Sequence, residues 1–390
     1  MSIKAGIGIS DKPNAFEAGR EAAEQAMDDV EKPKILLVFS STNYDQEQLL
    51  DGVRQAGNNM PLIGCSDSGE ITNYGIIKND VVVMALGSDT VNFSLGLGGE
   101  IKEDSFAAGA KLGHNLKVGD RDLSSLIVFS DVISGNGSEI IRGIQSELGD
   151  DFKIAGGAAG DDFLFKETYV YLNGDMHPSS IAGIGLSGEY KMGIGVGHGW
   201  SPIGLPVIVT RSEGSIVEEI DGKPAIRFYE ENFGMSAEEM KKQSFAQLAI
   251  TYPLGMKING SEEMLIRDPI EIMDNGAIRF TAEIATGTEV RLMLGSKDEA
   301  LKAVKKAAQN AFNQLGGTKP QAVFLFSDTA REKLLAQNSK EELSTIQNII
   351  GDKVPLIGFY TYGEFAPIIN DKFATKTLFH NEVAVVVLLA

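Results

Sequence analysis

The residues best placed to do chemistry are acids that close glycine turns. Pro61–Ile71 reads PLIGCSDSGEI, Pro355–Phe365 reads PLIGFYTYGEF, and Ile154–Asp162 reads IAGGAAGDD, a looser echo of both. Each opens as the apolar run a buried strand needs, breaks at glycine, and ends in Gly-Glu or Gly-Asp. Glu70, Asp161 and Glu364 thereby stand at strand ends. A carboxylate there accepts backbone N–H bonds and caps the turn, or it meets the amino group of a ligand. Capping is the commoner role. Three more apolar runs end in Phe-Ser pairs, at Ser40, Ser130 and Ser327, and Asp131 and Asp328 follow two of them. Hydroxyls and acids thus arrive at the same strand ends as the Gly-acid turns, and Gly157 joins the ligand-facing candidates from the looser copy.

Between the two close copies, Phe359-Tyr360-Thr361-Tyr362 replaces Cys65-Ser66-Asp67-Ser68. A pocket between related copies would have a stacking wall at Tyr360 and Tyr362, with Thr361, and a hydrogen-bonding wall at Cys65, Ser66 and Ser68. Core packing is the alternative, and the favoured one for Phe359. Cys65 is the single cysteine, so an intrachain disulfide is impossible and a cysteine zinc site is disfavoured. No histidine lies near it in sequence to activate a thiolate, and a small buried side chain is its commoner role. The four histidines (His114, His177, His198, His380) show no His-x-x-x-His spacing. His198 shares GHGW with the only tryptophan, Trp200, in hairpin-like sequence.

The elements that would position these groups alternate strand and helix. AGIGI (residues 5–9) reads as a strand, Pro13–Asp29 as a helix, KILLVF (34–39) as a buried strand and Asp45–Ala56 as a helix, before the first PLIG strand and VVVMAL (81–86). The order repeats through NFSLGL (92–97), helix 104–116, LIVF (126–129), helix 138–148, IAGGAAGDD and strands at 169–172 and 181–186. A third copy is expected from VRLML (290–294), through helix 297–315, AVFLF (322–326) and helical sequence 331–350, to PLIGFYTYGEF and 383–389. Between the second and third copies, Lys191–Thr288 reads as antiparallel strands (LAITY, MLIRDPIEIM and AIRFTAEI among them) around a helix at 224–233. Turns are expected at Glu213-Gly214, Asn259-Gly260 and Asn275-Gly276. The fold class is therefore α/β: repeated strand-helix-strand-helix-strand units in layered mixed sheets, with an antiparallel β insertion.

Composition narrows the partners. The 390 residues carry a formal charge of −19, with 43% hydrophobic and 23% charged residues. That acidity, without a Lys/Arg cluster, argues against nucleic acid or an anionic membrane surface. No apolar run reaches the roughly 18 residues of a spanning helix, and no basic, apolar leader opens the sequence, so the expectation is a cytoplasmic protein.

Five stretches, GCSDSGE (64–70), GGAAGDD (156–162), GHGWSPIGLPVIVTRSEGSIVEEIDGKPA (197–225), YPLG (252–255) and GFYTYGEF (358–365), resemble the FIST family, the F-box and intracellular signal transduction proteins, in family order. The resemblance implies a FIST N-terminal domain over 1–221, holding units at about 1–90 and 91–190 plus a hairpin, and a FIST C-terminal domain over 222–390. It implies a stand-alone sensory module that binds an amino acid or similar small polar metabolite and signals to a partner such as a histidine kinase, cyclase or chemoreceptor. Arg331 matches the family's arginine and is the expected anchor for a ligand carboxylate, since a guanidinium holds one bidentately, with Arg211 second. Asp328 stands where many members have cysteine, and Thr251 where histidine is common. No cofactor is expected. The alternative implied by the resemblance is a haem-based nitric oxide sensor, for which His198 or His177 would be the axial ligand. An enzyme is not expected: no Ser-His-Asp order or phosphate loop is present, and Gly64–Gly69 has phosphate-cradle spacing but Glu70 where lysine is needed.

Overall fold

The computed structural model describes residues 3–242, 245–258, 263–368 and 376–390. The first unit runs β1 (Lys4–Ser10), α1 (Ala15–Asp28), β2 (Ile35–Ser41), α2 (Gln46–Ala56), β3 (Leu62–Asp67), β4 (Glu70–Thr72), β5 (Gly75–Ile77) and β6 (Val81–Gly87). The second repeats it: β7 (Val91–Gly99), α3 (Ser105–Gly119), β8 (Ser125–Ser130), α4 (Gly137–Leu148), β9 (Lys153–Ala158), β10 (Val170–Leu172), β11 (Asp175–His177) and β12 (Ser180–Gly188). Asn14, Asp45, Asp104 and Asn136 cap the four helices by accepting backbone N–H bonds from their first turns.

The third unit begins earlier than the sequence pattern indicated, at β13 (Met192–Gly197), which pairs along the chain's last strand just as β1 and β7 pair along β6 and β12. The insertion then follows: β14 (Trp200–Glu213), β15 (Ile216–Ile220), β16 (Lys223–Pro224), α5 (Ala225–Phe233), α6 (Ala237–Lys242), α7 (Phe245–Thr251), β17 (Leu254–Lys257), β18 (Met264–Arg267), β19 (Pro269–Ile272), β20 (Ile278–Phe280) and β21 (Glu289–Gly295). VRLML is thus β21, inside the insertion's antiparallel sheet, where it pairs with β14 and β17. The unit resumes with α8 (Lys297–Gln314), β22 (Ala322–Asp328), α9 (Thr329–Leu335), α10 (Ser339–Ile350), β23 (Leu356–Thr361), β24 (Glu364–Pro367), β25 (Thr377–His380) and β26 (Ala384–Leu389). LAITY, expected as a strand, falls in α7 because Phe245, Leu248 and Tyr252 recur at helical spacing and pack on one cluster with Tyr229 and Met240. Turns form at Gly214 and Gly276, both at positive φ, and Asn259-Gly260 lies outside the described residues.

Each unit's sheet carries a hairpin from another unit. The orders are β1-β6-β2-β3-β10-β11, β25-β24-β9-β8-β12-β7 and β13-β26-β22-β23-β4-β5. The first unit's β4–β5 completes the third unit's sheet, the second's β10–β11 completes the first's, and the third's β24–β25 completes the second's. This cyclic exchange fixes equivalent positions: Cys65, Gly157 and Phe359 lie opposite Phe39, Phe129 and Phe326 in the three parallel pairs. The same glycine serves all three, since a Cβ on Gly64, Gly156 or Gly358 would meet the neighbouring strand's carbonyl oxygen at 1.7, 2.0 and 2.0 Å. The inner faces of the three sheets share one core, centred on Phe39, Phe129, Phe326 and Phe359, with ring centroids 4.5 to 6.4 Å apart. Edge-to-face pairs of this kind add about 0.5–1.5 kcal/mol each beyond area burial.

Candidate functional site

Most of the strand-end candidates hold the fold together. Glu70 Oε1 accepts from Asp80 N–H, and Glu364 takes Val383 N–H, the equivalent amide at the start of the unit's last strand. Gly69 and Gly363, just before these acids, adopt φ of +130° and +131°, which only glycine tolerates. Asp161 is not their third counterpart. Opposite Cys65, in the place of Glu70 and Glu364, stands Val170, and Tyr169 O accepts the bond that Gly69 O and Gly363 O accept elsewhere. Asp161 instead opens an extra loop, residues 161–169, which its carboxylate organises by accepting N–H bonds from Phe165, Lys166 and Glu167. Asp131 is occupied by Ser134, Thr168 and Ser179.

Neither of the two proposed walls lines a pocket as a whole. Cys65 and Gly157 lie in the central core beside Phe359, and burial pushes the Cys65 thiol well above its ordinary pKa. Ser40 bonds Gln46 and Tyr171, Ser66 bonds Gly160 O, Ser68 accepts from Asp162 N–H, and Ser130 Oγ is buried without a partner among the described residues. Thr361 donates to Glu364, and Tyr360 is fully buried against α10 residues. Arg331 cannot anchor a ligand carboxylate as expected. It is 0% exposed, and its Nε and Nη2 bond Glu342 Oε1 at 2.9 and 2.5 Å, with Nη2 also on Ala300 O. Arg211 lies on an exposed strand face and pairs with Glu218 and Glu219. His198 lines a separate cavity with Glu263 and Lys306, and its Nδ1 accepts Trp200 N–H, which leaves the proton on Nε2. An axial ligand needs that Nε2 bare, so His198 does not fit the haem role. His177 sits half-buried in the β11 hairpin strand.

Asp328 and Tyr362, by contrast, meet at a cleft of about 120 Å³. Three departures from the repeat converge there: the 161–169 loop of the second unit (Phe163, Phe165), α9, which neither other unit has (Thr329, Ala330), and the insertion (Ile250, Asp268, Pro269, Ile270, Thr281). Tyr362 joins them. Its hydroxyl donates to Asp161 at 2.6 Å and accepts from Phe163 N–H, while its ring stacks on Phe165 with centroids 4.6 Å apart. Phe163 and Phe165 hold φ of +64° and +49°, an unfavourable conformation for aromatic residues that the Asp161 bonds impose.

The polar side of the cleft is acidic. Asp328 accepts from Ala330 N–H and Glu382 N–H at 2.8 and 2.9 Å, and burial pushes its carboxyl up to about 6. Asp268, facing it, is pushed up to about 8 by burial and then by the charge of Asp328. Glu382 and Glu364 are held well above the usual carboxylate range by burial. Asp268 Oδ1 and both Glu382 oxygens meet no donor from the rest of the described protein, and the two carboxyls are satisfied only by sharing a proton with each other or by a donor from outside. Arg267 is buried nearby but spends its guanidinium on the carbonyls of Glu283, Ile266 and Phe379. Asp268, Glu382, Phe163 and Phe165 were missed from sequence. No local motif marks them, since register alone brings RDP and HNE together.

Residues 34–223 match the FIST N domain and residues 225–367 the FIST C domain. The chain belongs to the FIST family. FIST domains are modules of signal transduction and small-ligand sensing. This FIST protein is 26% identical over 381 residues to an uncharacterized protein of Mycobacterium tuberculosis, spanning 94% of this chain and 95% of the relative. It is 26% identical over 312 residues to an uncharacterized protein of Methanocaldococcus jannaschii, spanning 75% of this chain and 60% of that one. Among solved structures, a cyanuric acid hydrolase from A. caulinodans aligns over 100% of this chain and 99% of its own at 7% identity and TM-score 0.41. A chorismatase aligns over 100% and 98% at 8% identity and TM-score 0.38. Among the described residues, no helix is long and apolar enough to cross a membrane and no group of His, Cys, Asp and Glu is arranged to hold a metal ion.

Proposed function

We propose that this FIST protein is a small-molecule sensor whose cleft between the 161–169 loop, α9 and the insertion receives the amino group of a small metabolite, an amino acid or a relative of one. One observation carries the reading: three local departures from the threefold repeat meet at this cleft, and Asp268 Oδ1 beside it meets no donor among the described residues, which an ammonium group would supply. Asp268 and Asp328 receive the ammonium, and Phe163, Phe165 and Tyr362 enclose the body. The role is binding rather than catalysis. The cleft joins the second and third units to the insertion, so a ligand that prefers one arrangement of these parts shifts their population, and a cytoplasmic signalling partner such as a kinase or cyclase reads the change.

Thermal-shift and calorimetric screening of amino acids and amines tests the proposal. A ligand at a hundred times its Kd should stabilise the protein by about 2.7 kcal/mol, and Asp328→Asn should remove that effect. Equal stabilisation of the wild type and Asp328→Asn by every hit would place the site elsewhere.

A further inference from the structure

We infer that the ligand is an amine with an apolar or aromatic body and no neighbouring carboxylate, rather than an amino acid. The inference rests on the reading of the cleft given above and concerns which amino compounds it admits.

An amino acid brings its carboxylate two bonds from its ammonium, so both ends must be satisfied together. Neither buried guanidinium near the cleft can serve the carboxylate. Arg331 is absent from the cleft wall and held by Glu342 and Ala300 O, and its remaining Nη1 is fully buried. Arg267 is likewise absent from the wall and engaged by backbone carbonyls. Lys333 lies with its Nζ 4.2 Å from the ring centroid of Phe163, but it also does not line the cleft. A carboxylate beside the bound ammonium would instead face Asp328, which is pushed up only to about 6 and is ionised at pH 7.5, and would find no cationic side chain among the described residues that line the cleft. Beyond Asp268 and Asp328, the hydroxyls of Thr281, Thr329 and Tyr362 and the amide of Asn381, the wall is carbon: Phe163, Phe165, the Tyr362 ring, Ile250, Pro269 and Ile270. Ile270 and Phe165 are 43% and 53% exposed, so the apolar wall continues to the mouth. Acid at the floor and carbon around it suit a monoamine, since a second ammonium would meet only hydrocarbon at the mouth.

The deciding experiment is calorimetric titration of the full chain at pH 7.5 with matched pairs: 2-phenylethylamine against phenylalanine, and isopentylamine against leucine. Each amine is expected to bind at least tenfold more tightly than its parent amino acid. Asp268→Asn should weaken the amines at least tenfold, and Phe165→Ala, a change at a half-exposed position that spares the core, should weaken 2-phenylethylamine by about threefold or more. Amino acids binding as tightly as the amines, or more so, would overturn this inference and leave the amino-group cleft standing. If neither class binds, both fall. Amine binding unchanged in Asp268→Asn and Phe165→Ala would also overturn it, because the amine would then sit elsewhere.

Discussion

Replacing Arg331 separates a structural role from a ligand-binding one. The Arg331–Glu342 pair is 0% and 1% exposed, and Glu342 receives two N–H bonds from the guanidinium and one O–H bond from Ser327 at 3.0 Å. Arg331→Ala strips Glu342 of its countercharge, leaves it one neutral donor and deprives Ala300 O of its partner. Breaking one side of a buried pair in this way costs about 3–5 kcal/mol. Deleting both charges with Arg331→Met and Glu342→Leu should restore much of that, because no charge is left buried alone. Urea unfolding followed by fluorescence of Trp200 and far-ultraviolet circular dichroism measures both. Arg331→Ala should lower the midpoint strongly, with the double variant between it and wild type. A single variant as stable as wild type that no longer binds ligand would refute the structural assignment and return Arg331 to the site.

Three further outcomes follow from the same geometry. Between pH 6.5 and 8.5 stability should fall as pH rises: Asp67 and Asp268 are pushed up to about 8 by burial, so the folded chain binds protons there that the unfolded chain has already lost. Charges bearing on them are Lys78, Asp80 and Asp162 at the first, and Arg267, Asp328 and Glu382 at the second, and His380, pushed down to about 4, is neutral throughout. A flat or rising urea midpoint over that range would contradict the assignment. Tyr362→Phe removes the hydroxyl that bonds Asp161 and Phe163 N–H, at a cost of about 1–3 kcal/mol. Faster hydrogen exchange at the Phe163 amide is the local readout. The Cys65 thiol should resist an aromatic disulfide reagent in the native state and react on unfolding, since it is 0% exposed with its pKa raised; reaction with folded protein at the rate of a free thiol would show the core to be open.

Local periodicity carried most of the architecture. The buried runs KILLVF, LIVF and AVFLF are continuous, and the helices flanking the first two bear caps and apolar stripes that need no tertiary information. The hairpin exchange was not legible, because EIT, VYL and EFAP are too short to reveal which sheet they join. The start of the third unit was misplaced for a related reason: MGIGVG and VRLML both read as strands, and only pairing along β26 distinguishes them. Of the residues at the cleft, Asp328 and Tyr362 are sequence candidates, one because it follows a Phe-Ser strand end and the other because it sits in a repeated phrase. Asp268 and Glu382 are contributed by separate segments whose meeting depends on register, and Arg331 drew attention for chemistry that its partner on α10 already consumes.

The repeated phrase itself shows why the cleft has one location. At the equivalent positions Ser68, Gly160 and Tyr362, each backbone N–H donates across to the next unit, to Tyr360 O, Ser66 O and Ala158 O at 3.3, 3.0 and 3.3 Å. Their backbone role is therefore common and the side chain is free to vary only where space allows. At Gly160 there is none, as a Cβ would meet Ser68 Oγ at 2.3 Å. Around Tyr362 the insertion and α9 open the space, and the ring fills one side of it while its hydroxyl fastens the 161–169 loop. The Gly-Glu ending is shared because it ties strands together. Specificity resides in what is unshared, so exchanging Tyr362 should alter which amines bind before it alters the fold.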